Sequence, residues 1–63
     1  MGEKYHVWHR PDDESQWMPH TRDDGVRYEH SLDSAIKCGR FFARMLGHEH
    51  KRTLVETEDV VSL

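Results

Sequence analysis

Across residues 31–47 the chain reads SLDSAIKCGRFFARMLG, and at about 100° per residue its apolar positions gather on one side of a helix. Leu32, Ala35, Ile36, Cys38, Gly39, Phe42, Ala43 and Leu46 form that side, with Asp33, Lys37, Arg40 and Arg44 opposite. The pattern predicts an amphipathic helix lying on a sheet. Ser31 supplies an N-cap hydroxyl, Asp33 places negative charge at the positive end of the dipole, and Gly47 can adopt the left-handed conformation that ends a helix. Gly39 interrupts the apolar stripe at a cost of about 1 kcal/mol in helix propensity relative to Ala. Its use there implies that the helix backbone approaches a strand closely.

The strands are read from alternation. Residues 4–10, KYHVWHR, are rich in aromatic and branched side chains and end at Pro11, which has no N–H to give to a ladder. They form the first predicted strand, with Tyr5 and Val7 on one face and His6 and Trp8 on the other. Residues 11–15, PDDES, make an acidic solvated turn. Residues 16–20, QWMPH, contain Pro19 and are confined to an edge, a strand end or a loop. Asp24-Gly25 is a tight-turn pair, and residues 26–30, VRYEH, alternate as a half-buried second strand should. Two layouts follow. Either the Trp17 segment pairs with residues 26–30, or residues 11–25 form a long loop and residues 26–30 pair with the first strand. The second is preferred for the principal sheet, with the Trp17 segment extending or covering it. Residues 52–57, RTLVET, form the last strand, after which Glu58-Asp59 turns the chain so that residues 60–63 continue or fold back.

The expected architecture is a single α+β domain over residues 1–63, in the chain order β-β-α-β. A small three-stranded antiparallel sheet, ordered second, first, last, carries one amphipathic helix on one face. Tyr5, Val7, Val26, Tyr28 and Val55 face the helix in this layout. His6, Trp8, Arg27, Glu29, Leu54 and Glu56 face away from it.

Composition narrows the chemistry. With 63 residues of which 35% are hydrophobic, the apolar area open to burial is small, and domains of this size commonly lean on disulfides, metal or self-association. One cysteine excludes an intramolecular disulfide. Cys38 falls on the inner side of the helix, where a thiol packs as a small hydrophobe, and a reducing cytoplasm is the expected setting. Residues 1–7 are polar and of mixed charge, unlike a secretory signal, and no apolar run nears the roughly 20 residues of a membrane span. A net charge of −3 argues against a chain devoted as a whole to nucleic acid.

Histidine is the over-used residue, at six. His6 and His9 point to opposite faces of a strand. His48 and His50 share a face in an extended segment and, with one more ligand, would make a metal site, but the spacing lacks any recognised zinc pattern. The preferred reading has no metal ligand and no cofactor, and keeps a metal-stabilised fold as a third alternative. Catalysis is not expected either. Cys38 is expected to be buried, Ser31, Ser34 and Ser62 carry no nucleophile signature, the carboxylates fall in predicted turns and at a strand end, and the chain has little volume for a substrate pocket.

Two surfaces remain as binding candidates. On the helix, Phe41 breaks the polar side and, with Met45, is ringed by Lys37, Arg40 and Arg44 as a contact patch for an acidic partner. On the sheet, Trp8 and Leu54 among charges, Arg27 included, look like an interface core with a polar rim. The alternative is that the acidic loop with Trp17 and Met18 folds under the sheet; a homodimer through this face or an edge would also cover it. Lys37, Arg40 and Arg44, continued by Lys51 and Arg52, support a second function, a nucleic-acid-associated regulator.

Residues 28–36, YEHSLDSAI, combine a strand ending in an aromatic with a Ser-Leu-x-x-Ala-Ile helix start, and an RTLVET-type strand follows the helix. Together these resemble the small orphan accessory proteins of bacteriophages and prophages, particularly of actinobacteria. The resemblance covers about half the chain, rests on structural motifs and identifies no functional residue. It implies a short, non-enzymatic protein of the host cytoplasm that binds one host protein and inhibits or redirects it.

Overall fold

The helix forms where its caps predict. In the computed structural model, which describes residues 3–57 and the backbone of residues 60–61, α1 spans Leu32–Leu46. Ser31 stands in extended backbone and its hydroxyl accepts a hydrogen bond from the Ser34 N–H at 3.3 Å. Gly47 closes the helix in the left-handed region, at φ 67°. The buried stripe is narrower than the wheel implies. Ala35, Gly39 and Phe42 are buried, Ile36 and Cys38 half-buried, and Leu32 and Leu46 exposed.

Beneath the helix lies an antiparallel sheet of β1 (Tyr5–Arg10), β2 (Met18–Pro19), β3 (Glu49–Leu54) and β4 (Val60–Val61), in the order β2-β1-β3-β4. The three-stranded antiparallel arrangement and its single helix are thus as expected, with β4 added at the far edge. The chain does fold back at residues 60–61, where Val60 and Val61 pair with Thr53 and Arg52. The Glu58-Asp59 turn and residues 62–63 lie outside the described residues.

The second strand is where the expectation fails. The free edge of β1 is shared between two segments: Met18 and Pro19 pair with His9 and Trp8, and His30 bridges Tyr5. Between them residues 20–28 leave the sheet as a small hairpin of their own. Arg22 N–H donates to the Val26 carbonyl at 2.7 Å and Tyr28 N–H to the His20 carbonyl at 3.0 Å. Gly25, at φ 85°, makes the turn. Both proposed layouts are therefore realised in part. Val26 and Tyr28, expected under the helix, are 54% and 40% exposed, because the hairpin projects past the sheet edge. Proline at position 19 suits this edge, since a missing N–H costs nothing where no further strand pairs.

The last long strand starts three residues before the expected Arg52 and stops at Leu54. The β-branched TLV run draws the sequence reading forward. Pairing in fact begins at Arg10 opposite Glu49, where the two side chains form an ion pair at 2.7 Å. In this register Tyr5, Val7 and His9 stand opposite Leu54, Arg52 and His50, and opposed residues share a face. Leu54 therefore packs against the core on the helix side rather than on the open face. Val55 lies beyond the strand, in a turn.

The core consists of Tyr5, Val7, Ala35 and Phe42, with Cys38 and Leu54 against it. Imidazoles complete it. His9 stacks on Phe42 with ring centroids 3.9 Å apart and planes 8° from parallel. The ring of His50 lies directly against Gly39, so that a Cβ at that position would overlap the imidazole. The glycine in the stripe is thus the seat of a histidine. Gly39→Ala should destabilise the protein by about 1–3 kcal/mol through overpacking. In a His50→Ala background the same change should instead stabilise it, by up to ~1 kcal/mol from helix propensity. Urea unfolding of the four proteins checks this sign reversal.

Candidate functional site

Three groups of residues merit attention, two read from the sequence and one formed by the fold. On α1, Phe41 and Met45 are 54% and 65% exposed, and with Lys37, Arg40 and Arg44 they line a shallow depression of about 360 Å³. The five residues expected together are together, since i, i+4 and i+8 positions stack on one helix face. Phe41 also meets the Phe42 ring edge-on, at 5.8 Å between centroids. Among the described residues, none of the three cations of this patch forms a salt bridge.

The sheet face opposite the helix is a layered array of rings and cations. Arg27 lies over the Trp8 ring at 4.6 Å, Lys51 reaches both Trp8 (5.8 Å) and Trp17 (4.9 Å), and Arg10 lies over Trp17 at 4.2 Å. The Trp8 indole N–H donates to Thr53 Oγ1 at 3.0 Å. Such cation–π contacts contribute about 0.5–1 kcal/mol each at exposed positions. Trp17 has therefore moved onto this face from the loop, whereas Met18, paired with His9, remains exposed on the edge. Trp8 and Arg27 do meet, but Leu54 belongs to the other side of the sheet. The basic stripe is divided as well. Lys51 serves the tryptophans, and Arg52 is buried on the helix side of β3.

The third group was not anticipated. His20, His30 and Cys38 converge so that one donor atom from each lies within 4.8 Å of the others. Cys38 Sγ is 3.3 Å from His20 Nδ1, which is 3.3 Å from His30 Nε2. The second nitrogen of His30, Nδ1, is 3.0 Å from Ser34 Oγ. Each element contributes one residue. His20 follows β2 and is held by its N–H bond to the Val7 carbonyl at 2.8 Å, His30 is fixed by its bridge to Tyr5, and Cys38 projects from α1. Tyr28 and Phe42 flank the His20 ring at 4.6 and 5.4 Å. Beside the group lies an open groove of about 480 Å³ lined by His9, His20, Cys38, Phe41 and Phe42 among others. The visible clue in the sequence was a pair of histidines on either side of the Asp24-Gly25 turn. The sequence reading instead weighed His48 with His50. In the structure His48 pairs with His9, Nδ1 to Nδ1 at 3.0 Å, and His50 is committed to Gly39.

Burial sets the protonation of these side chains. It pushes the Cys38 thiol up and His20 down. It also lowers His9, aided by neighbouring His48 and His20; His30, aided by His20 and His6; and His50, aided by Arg52. The unfolded chain takes up these protons near pH 6.5, whereas the folded chain does so at lower pH. Between the two the unfolded state binds more protons, so stability falls as pH drops below about 6.5; above about 8.5, where the unfolded thiol ionises before the buried Cys38, it falls again. Urea midpoints in chelated buffer between pH 8 and 5 should show this acid limb, and His50→Asn should make it shallower.

Among the described residues no helix is long and apolar enough to cross a membrane. Compared with known proteins, the chain matches no protein-family model, no curated protein and no solved structure.

Proposed function

We propose that the chain is a small non-enzymatic binding module that holds one protein partner through the outer face of α1. One observation carries this reading: Phe41 and Met45 stand exposed in a depression whose rim is Lys37, Arg40 and Arg44. Large apolar side chains at the centre of a cationic ring fit a partner that offers an apolar side chain flanked by carboxylates. Desolvating the centre supplies affinity, and the charges supply orientation and rate. We further propose, in keeping with the resemblance of residues 28–36 to phage accessory proteins, that the partner is a bacterial host protein, bound in the host cytoplasm and inhibited or redirected by the contact.

The alternative of nucleic-acid binding keeps three cations in a row on α1 and loses the support of Lys51 and Arg52. Trp8 and Arg27 are engaged with each other, which leaves the helix patch as the better-presented surface.

Affinity capture from a nuclease-treated bacterial lysate, with wild-type chain and two variants as baits, tests the reading. Phe41→Asp and Arg44→Glu should each reduce capture of the same protein at least 10-fold while leaving the circular dichroism spectrum unchanged, and raised salt should weaken the wild-type contact. Capture that ignores both variants, or that disappears with nuclease, would remove the proposal. Self-association abolished by Phe41→Asp would replace the host partner with a second copy of the chain.

A further inference from the structure

We propose that His20, His30 and Cys38 form a binding site for one zinc-class divalent cation, with Ser34 positioning His30. A tetrahedral zinc ion with Zn–N of about 2.0–2.1 Å and Zn–S of about 2.3 Å requires its ligand nitrogens to lie about 3.3 Å apart and sulfur and nitrogen about 3.6 Å apart. The chain presents a nitrogen pair at 3.3 Å and a sulfur–nitrogen pair at 3.3 Å, and the third pair, between Cys38 and His30, lies within 4.8 Å, so side-chain rotation that closes this one edge seats the ion.

Hydrogen bonding alone serves this arrangement poorly. His20 Nδ1 faces two neighbours, Cys38 Sγ and His30 Nε2, and a proton on it can point well along one of these approaches only. A cation at the centre accepts all three lone pairs. The Ser34 hydroxyl completes the design. With its proton on Nδ1, His30 donates to Ser34 Oγ and turns a bare Nε2 towards the other two ligands, the orienting role that hydrogen-bonded partners of metal-bound histidines commonly play.

The donor set names the metal class. Two imidazoles and one sulfur suit zinc and its borderline neighbours, not calcium or magnesium, which take oxygen. On binding, the Cys38 S–H bond breaks, its proton leaves to solvent and the sulfur–metal bond forms as thiolate. Three protein ligands leave one tetrahedral position for water or an outside ligand, and the groove beside His20 and Cys38 gives access. The ion would join the segment carrying His20, the sheet edge at His30 and the helix at Cys38. This is the kind of cross-link a chain without a disulfide needs, its buried apolar core among the described residues being four side chains.

Cobalt(II) added to the reduced 63-residue chain reads this site directly. One equivalent should produce the near-ultraviolet sulfur-to-cobalt charge-transfer band and the intense visible absorption of a tetrahedral centre. Zinc(II) should bleach both stoichiometrically and raise Tm by about 10 °C or more when well above its Kd. Cys38→Ala, which keeps a small apolar group in the core, should abolish the sulfur band, and His30→Gln should abolish tight binding. Ser34→Ala should retain the spectrum and weaken affinity about 10- to 100-fold. His48→Asn should change neither. Spectra without a sulfur band, or zinc affinity and Tm unaltered by Cys38→Ala, would overturn the site. So would binding that is lost in His48→Asn and kept in His30→Gln, which would move the metal to the other histidine pair.

Discussion

The structure depends on how closely α1 can approach the sheet. Only Ala35, Gly39 and Phe42 are buried on the helix, and the middle one has no side chain. Because Gly39 admits the His50 ring, the flanking Ala35 and Phe42 reach the strands, and Phe42 lies flat on His9. A larger group at position 39 would lift the helix and separate every one of these contacts together. Dispersion between close-packed atoms falls steeply with a gap of even half an ångström, so a chain with so few buried apolar residues depends heavily on this single approach.

The same constraint explains why histidine is so frequent. A core of this size cannot surround large aliphatic residues on all sides, whereas an imidazole packs by its flat face and turns its nitrogens to an edge. His9 does so against Phe42, while His20 meets the same ring edge-on and His50 fills the space over Gly39. The consequence is a protein whose interior carries several imidazoles made harder to protonate by burial, and whose segment 20–30 meets the helix through His20 and His30. Chemistry and packing are thus concentrated along one seam, where β1, the hairpin of residues 20–28 and α1 come together.

The two remaining surfaces divide the work of the exposed aromatics. Opposite the helix, Trp8 and Trp17 are covered by the cationic heads of Arg27, Lys51 and Arg10, which lie against the electron-rich faces of the rings. On the outside of α1 no such cover forms among the described residues: Phe41 and Met45 have cations beside them and not over them. Phe41 also touches Phe42 and so connects the outer patch with the seam beneath.

Local physics made part of this legible in the sequence. The helix with its Ser31 and Gly47 ends, the close approach at Gly39 and the exposed Phe41 follow from periodicity and capping, which act within a few residues, and the antiparallel pairing of the first and last strands follows from the rules that govern crossover connections. The fate of residues 18–30 did not follow, because Pro19 and the Asp24-Gly25 turn allow several pairings of similar local merit, and the choice between them rests on contacts with β1 and α1. Register behaved likewise. A shift in where β3 begins decided that Leu54 faces the core and Lys51 the tryptophans, and only pairing along the whole of β1 fixes that shift. The cluster of His20, His30 and Cys38 lay furthest from view, since its three donors come from three segments and no spacing in one dimension encodes their convergence. The sequence by itself determined the helix and its inner stripe; the tertiary structure decided which side chains meet across it, because those distances are set by how separate elements pack.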